Sequence, residues 1–256
     1  MLPTTIYTAK TFIKSAMLFV AVLFFRGAAA QEKEVIHQNQ QWIEYSAQLK
    51  LKGKYSLLAD GGYRWIDTYL TGEMYYVRAG VEYAINDNLS VHAGFAHVGY
   101  FFDNLSQIEH RPYQELSIRN KAGKLDLYQR IRVEERIFEP AGSYHPVSYN
   151  WFNWRFRYML MVDVPLFSLS AKRPDYRVSL GVGDEIFLNA GKNIRYNYFD
   201  QNRLLLSPTV HLGNRLSVSV TYMNQYAATF TPDRFIHSNV FWLQVRQKFD
   251  LYSHNP

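Results

Sequence analysis

The chain has 256 residues, a formal charge of +6 from 28 Lys and Arg against 22 Asp and Glu, and no cysteine. The lack of thiols excludes disulfides, thiolate metal centres and an acylated lipoprotein N-terminus. The basic residues are scattered, with no Lys/Arg cluster or RNA-binding motif, so nucleic acid is not an expected partner.

In residues 1–30, Lys10 and Lys14 precede an apolar run over 16–25, and Gly27-Ala28-Ala29-Ala30 stands before Gln31. This is the layout of a secretory signal peptide, with cleavage expected after Ala30. The run is too short for a spanning helix, and no later stretch reaches the roughly 18 consecutive apolar residues that such a helix requires. Cleavage removes Lys10, Lys14 and Arg26 and no acid, which halves the formal charge.

Residues 31–40 are mostly polar and read as a short periplasmic lead-in or a weak first strand; a single barrel domain is expected over 41–252. Over 42–51, Ile43, Tyr45, Ala47, Leu49 and Leu51 alternate with Trp42, Glu44, Ser46, Gln48 and Lys50. A period of two marks a strand. Lys52-Gly53-Lys54 turns the chain, and a return strand over 55–65 sets Tyr55, Leu57, Tyr63 and Trp65 against Ser56, Asp60, Gly62 and Arg64. After a loop at Thr71-Gly72, Tyr75, Val77, Val81 and Tyr83 oppose Tyr76, Arg78, Gly80 and Glu82. Asn86-Asp87-Asn88 is a second tight turn. A less regular strand follows over 89–101, with His92, Gly94, Ala96 and Tyr100 on its inner side. A loop over 103–109 then leads to Arg111, Tyr113, Glu115, Ser117 and Arg119 on one face, with Leu116 and Ile118 on the other.

The clearest alternation lies between residues 124 and 167. Past Ala122-Gly123, Asp126, Tyr128, Arg130, Arg132, Glu134 and Arg136 alternate with Leu127, Gln129, Ile131, Val133, Glu135 and Ile137. Beyond a loop over 139–149, Phe152, Trp154, Phe156, Tyr158 and Leu160 alternate with Asn153, Arg155, Arg157, Met159 and Met161. Next, Val178, Leu180, Val182 and Ile186 oppose Arg177, Ser179, Gly181, Gly183 and Glu185. An Asn- and Tyr-rich loop over 190–200 precedes a strand carrying Arg203, Ser207, Thr209 and His211 inward. Two final strands follow, over 216–225 and 236–251.

Large apolar side chains on one face and guanidinium and carboxylate groups on the other, over ten or more residues, describe an inside-out barrel with lipid outside and charge in the lumen. A large soluble antiparallel sheet is the competing architecture. The expected fold is therefore all-β: a transmembrane antiparallel up-and-down β-barrel in the bacterial outer membrane. Twenty Tyr, seventeen Phe and five Trp would supply its aromatic girdles. Eleven strands are clear, whereas bacterial single-chain barrels have even numbers, with short periplasmic turns and longer external loops. With tight turns after the first, third, fifth and ninth strands, a chain ending in the periplasm would begin outside. A twelfth strand within 32–39 would repair this, and ten strands is the alternative if the division is too fine.

Several segments together resemble the DUF2490 family: Arg78 with Glu82, Glu109-His110-Arg111-Pro112-Tyr113-Gln114, 130–136, Arg155-Phe156-Arg157-Tyr158, Glu185-Ile186-Phe187 and Asp200-Gln201-Asn202-Arg203. Their order and spacing carry the resemblance, which covers about 41–250. It implies an exported outer-membrane barrel of unknown function and supplies no catalytic residues.

The inward set contains the cations Arg64, Arg78, Arg119, Arg130, Arg132, Arg136, Arg155, Arg157 and Arg203 and the acids Glu44, Asp60, Glu82, Glu115, Glu134 and Glu185. This charge network is expected either to stiffen a narrow barrel through salt bridges or to bind and pass small anionic solutes. An outer-membrane-embedded enzyme acting on envelope lipid is the alternative. His237-Ser238-Asn239 has the residue types for it, but strand neighbours point to opposite faces, so His237 and Ser238 are not expected to meet. His92 and His211 are scattered, with no carboxylate partner evident from the spacing, and are expected to be polar lumen residues rather than a zinc site. No cofactor and no catalytic residue is expected.

Overall fold

The computed structural model describes residues 33–67, 71–102, 104–141 and 151–251. The expected signal peptide and most of the 139–149 loop lie outside these residues. Eleven strands are present among them: β1 Glu34–Lys50, β2 Tyr55–Ile66, β3 Thr71–Ala84, β4 Leu89–Phe102, β5 Asn104–Ala122, β6 Leu125–Pro140, β7 Trp151–Ser168, β8 Tyr176–Ala190, β9 Phe199–Leu212, β10 Leu216–Ala228 and β11 Arg234–Asp250. They close into one barrel in chain order.

Among the described residues the strand count is eleven, neither twelve nor ten. Residues 34–40 do not form a strand of their own; they are the first part of β1, because no turn interrupts the chain between Asn39 and Trp42. Each hairpin reverses the chain direction, so an odd number of strands must close through one parallel pair. That pair is β1 with β11, in register from Glu34 beside Arg234 to Lys50 beside Asp250. The expected loop over 103–109 is likewise mostly strand, since β5 begins at Asn104, and Thr71-Gly72 lies within β3.

The connections differ at the two ends. The tight turns sit at one end, where Gly53 and Gly123 adopt φ of 79° and 64°, a left-handed conformation that glycine enters without steric cost. The two longest connections, β6–β7 and β8–β9, lie at the other end, although β4 and β5 are joined there by a single residue. Within the barrel, Gly94 makes room for an aromatic ring, because a Cβ there would fall 2.5 Å from Cζ and Oη of Tyr113.

The two faces are inverted relative to a water-soluble barrel. Ile43, Leu57, Val77, Phe95, Ile131, Phe156, Val182, Leu204, Val220 and Phe241 project outward and are all exposed. Ten of the eleven strands contribute one of them, so they encircle the molecule. The interior instead buries Glu44, Glu109, Arg132, Glu134, Arg155, Arg157, Glu185 and Arg203. Among the described residues its apolar content includes two small clusters, one of Trp42, Leu205, Met223 and Val240 and one of Met74, Tyr76, Ala96 and Val98, together with the buried rings of Tyr113, Phe138 and Phe187.

Candidate functional site

The period-two pattern of β5 to β8 aims their charged residues into the lumen at matching heights, and the antiparallel register pairs them. Glu134 stands beside Arg155 in the β6–β7 ladder and accepts from its Nε at 2.6 Å and from Arg157 Nη1 at 2.7 Å. Glu185 of β8 accepts from Arg157 at 2.8 Å and from Arg130 of β6 at 2.6 Å. Glu115 of β5 accepts from Arg132 at 2.6 Å and lies 3.7 Å from Arg130. The chain of ion pairs therefore runs around the wall from β5 to β8, each carboxylate serving at least two guanidiniums. Such sharing offsets the large cost of removing the charges from water.

A second group sits on β1 to β4. Arg78 donates to Asp60 at 2.6 Å and approaches Glu44 at 3.7 Å, and the Tyr76 hydroxyl donates to Glu44. Glu82 accepts from Gln48 at 2.9 Å and pairs with His92 at 3.1 Å. Arg119 lies over the Tyr128 ring at 5.1 Å. His211 is elsewhere on the wall, against Ser179 at 2.9 Å.

The expected network omits a third carboxylate centre. Glu109 is fully buried and accepts from Arg111 at 2.6 Å, Arg136 at 2.8 Å and the Tyr100 hydroxyl at 2.6 Å. Its alternation with Arg111 and Tyr113 was the available signal, and assigning 103–109 to a loop concealed it. Asp200, 3.2 Å from Arg155, was also missed, because an irregularity opposite Phe187 and Leu188 disturbs the alternation at the start of β9.

Arg64 and Arg203 are bound differently. Among the described residues neither has a carboxylate within salt-bridge distance. Arg64 lies over the Trp42 ring at 3.6 Å with its Nε buried and unbonded. Arg203 lies over Trp42 at 5.1 Å and over Phe187 at 4.6 Å, and it donates to Gln225 at 3.0 Å. Aromatic faces stabilise a guanidinium but do not neutralise it.

These two arginines open onto a lumen cavity of about 1180 Å³. Its wall includes fifteen Lys and Arg against eight Asp and Glu, so its net character is cationic. It extends from Asn88, Lys121 and Asn214 at the hairpin-turn end to Glu73, Tyr100, Arg136 and Asp200. Above that layer the interior is filled by Glu109, Phe138 and Asn153, each no more than 3% exposed. Trp151 stacks on Phe138 with ring centroids 4.5 Å apart, and Phe230 meets Trp151 edge-on at 5.3 Å. Among the described residues, the cavity reaches the turn residues at one end, and Glu109, Phe138 and Asn153 are packed beyond it at the other.

The residues of the enzymatic alternative do not converge. Ser238 faces the lumen and bonds Gln38 at 3.0 Å, whereas His237 lies on the outer face against Asn224 at 2.7 Å.

No curated protein and no solved structure matches the chain. The family model described as a protein of unknown function, DUF2490, matches residues 39–235, a span that includes every charged centre above, and the chain belongs to the DUF2490 family.

Proposed function

We propose that this protein is a bacterial outer-membrane barrel that holds a small anionic solute in a blind cavity open at its hairpin-turn end, without catalysing its conversion. The observation that carries the reading is the pair Arg64 and Arg203, which among the described residues have no carboxylate at salt-bridge distance and stand on the wall of a cation-rich cavity. Guanidinium groups present planar forks of N–H donors suited to carboxylate and phosphate, and these two are already seated on aromatic surfaces. The salt bridges of β5 to β8 give that wall rigidity, so stiffening and binding are two uses of one network. The outer-membrane placement is supported by the ring of exposed apolar side chains, which is far more continuous than the scattered apolar residues of a soluble surface. The signal-peptide layout of residues 1–30 agrees with export.

The test uses the refolded barrel in detergent micelles, titrated calorimetrically with inorganic phosphate and with citrate. Saturable binding of at least one probe is expected, weakened tenfold or more in Arg64→Gln/Arg203→Gln. In planar bilayers the wild type is expected to carry no steady current. Absence of binding to either probe, binding unchanged in the variant, or an anion-selective conductance through the wild type would each overturn the reading.

A further inference from the structure

The strands that close the barrel carry the same short pattern 200 residues apart. Ile36-His37, Asn39 and Trp42 recur as Ile236-His237, Asn239 and Trp242. In an antiparallel ladder such repeats would meet reversed. The parallel seam brings each residue beside its counterpart: Ile36 with Ile236, His37 with His237, Asn39 with Asn239 and Trp42 with Trp242. The two tryptophans meet edge to face inside, with ring centroids 5.4 Å apart. The two histidines meet on the outer wall.

Their Nδ1 atoms are 3.1 Å apart, with the rings nearly perpendicular at 86°. Two imidazole nitrogens bound to one transition-metal ion at about 2.0–2.1 Å, with an angle near 90–110° between them, stand roughly 2.9–3.4 Å apart. The observed separation falls in that interval, and without an ion it is a hydrogen bond between the two rings. The far nitrogen of His237 is also fixed, since Nε2 lies 2.7 Å from the Asn224 amide, itself 3.3 Å from Asn239, which accepts from the Tyr222 hydroxyl at 2.8 Å. Metal-bound histidines ordinarily have their second nitrogen held in this way. A half-turn of the Asn224 amide, which gives up its bond to Asn239, presents its oxygen to a His237 Nε2–H and leaves Nδ1 as the metal donor.

We propose that His37 and His237 form a two-histidine site for a divalent transition-metal ion, Zn²⁺, Ni²⁺ or Cu²⁺, that clamps β1 to β11. Imidazole donors suit these ions. No group of three or more His, Cys, Asp or Glu is placed to hold a metal among the described residues, so water completes the coordination and the ion exchanges freely. Both histidines lie three residues inside their strands, near the loop-end rim, where aqueous ions have access. The site is independent of the lumen and of what the lumen holds.

The experiment titrates the refolded full chain, in micelles, with Ni²⁺ and Zn²⁺ by calorimetry. One ion per barrel is expected, together with a rise in the thermal midpoint on metal addition. Both effects are expected to fall at least tenfold in His37→Gln and in His237→Gln, and to persist in His97→Gln, which alters the other outer-wall pair, His97 and His110, with ring centroids 5.3 Å apart. A spectroscopic arm needs no variant: with one equivalent of Cu²⁺, the wild type is expected to give the superhyperfine pattern of two equatorial nitrogens. No saturable uptake, uptake unchanged in both His37 and His237 variants, or a copper spectrum without two nitrogens would each overturn the proposal.

Discussion

Arg130 on β6 donates to Glu185 on β8 at 2.6 Å, reaching past the intervening strand β7. Arg157 on β7 donates to the same carboxylate oxygen, so three consecutive strands are tied through one oxygen atom. Glu185→Ala leaves two buried guanidiniums without this acceptor and is expected to lower unfolding stability by about 3–5 kcal/mol. Arg130→Met removes a single donor and is expected to cost clearly less, because Arg157 still neutralises Glu185. Urea titrations of both refolded variants check the ordering, and equal losses would mean that the shared oxygen has no special weight.

The outer face gives a prediction of the opposite kind. Val182 is 48% exposed near the middle of β8, where arginine would be harmless in water. If this face meets lipid, Val182→Arg is expected to destabilise the barrel in bilayers by about 2–4 kcal/mol. Folding titrations in liposomes read the effect directly, and a loss below about 0.5 kcal/mol would argue that the surface is not in hydrocarbon.

Gly94→Leu tests the interior packing. Its Cβ would lie 2.5 Å from the Tyr113 ring and 2.7 Å from the Ala79 carbonyl oxygen. Overpacking of this kind costs about 1–3 kcal/mol, and Gly94→Leu/Tyr113→Ala is expected to recover part of it. A double variant no more stable than Gly94→Leu alone would show that the clash with backbone dominates.

The parallel seam can be read chemically because the chain has no native cysteine. Ile43 and Leu243 are register partners on the outer face, so Ile43→Cys/Leu243→Cys is expected to form a disulfide on oxidation, as Cα separations of about 4.4–6.8 Å allow. Ile43→Cys/Phe249→Cys, six residues out of register, is expected to remain reduced. Electrophoretic mobility before and after reduction distinguishes the two, and crosslinking of the second pair alone would mean that the strands meet in another register.

Much of this architecture was legible in the sequence. The alternations around Arg130, Arg132, Arg155 and Arg157 give strand, face and lumen contents together, since inward charge and outward aromatics reinforce one another over long runs. Glu109 was hidden because Asn104, Ser106 and Gln107 look like loop residues, and only the β4–β5 ladder extends the strand through them. The strand count depended on closure, which is a long-range event: no local pattern states that Glu34 pairs with Arg234. The shared letters around His37 and His237 were present in the sequence, but they acquire meaning only once the two segments are known to run side by side in the same direction.

Because β1 and β11 run the same way, residue 34 emerges at one rim and residue 250 at the other. In a barrel with an even number of strands the two ends lie side by side, and a short hairpin can join them, so the chain can be reopened elsewhere. Here a joining segment would have to travel the length of a 17-residue strand, on the order of 50 Å along its axis, through the charged lumen or over the outer wall. Cyclising or circularly permuting this protein is therefore a threading problem, and a two-residue turn cannot solve it.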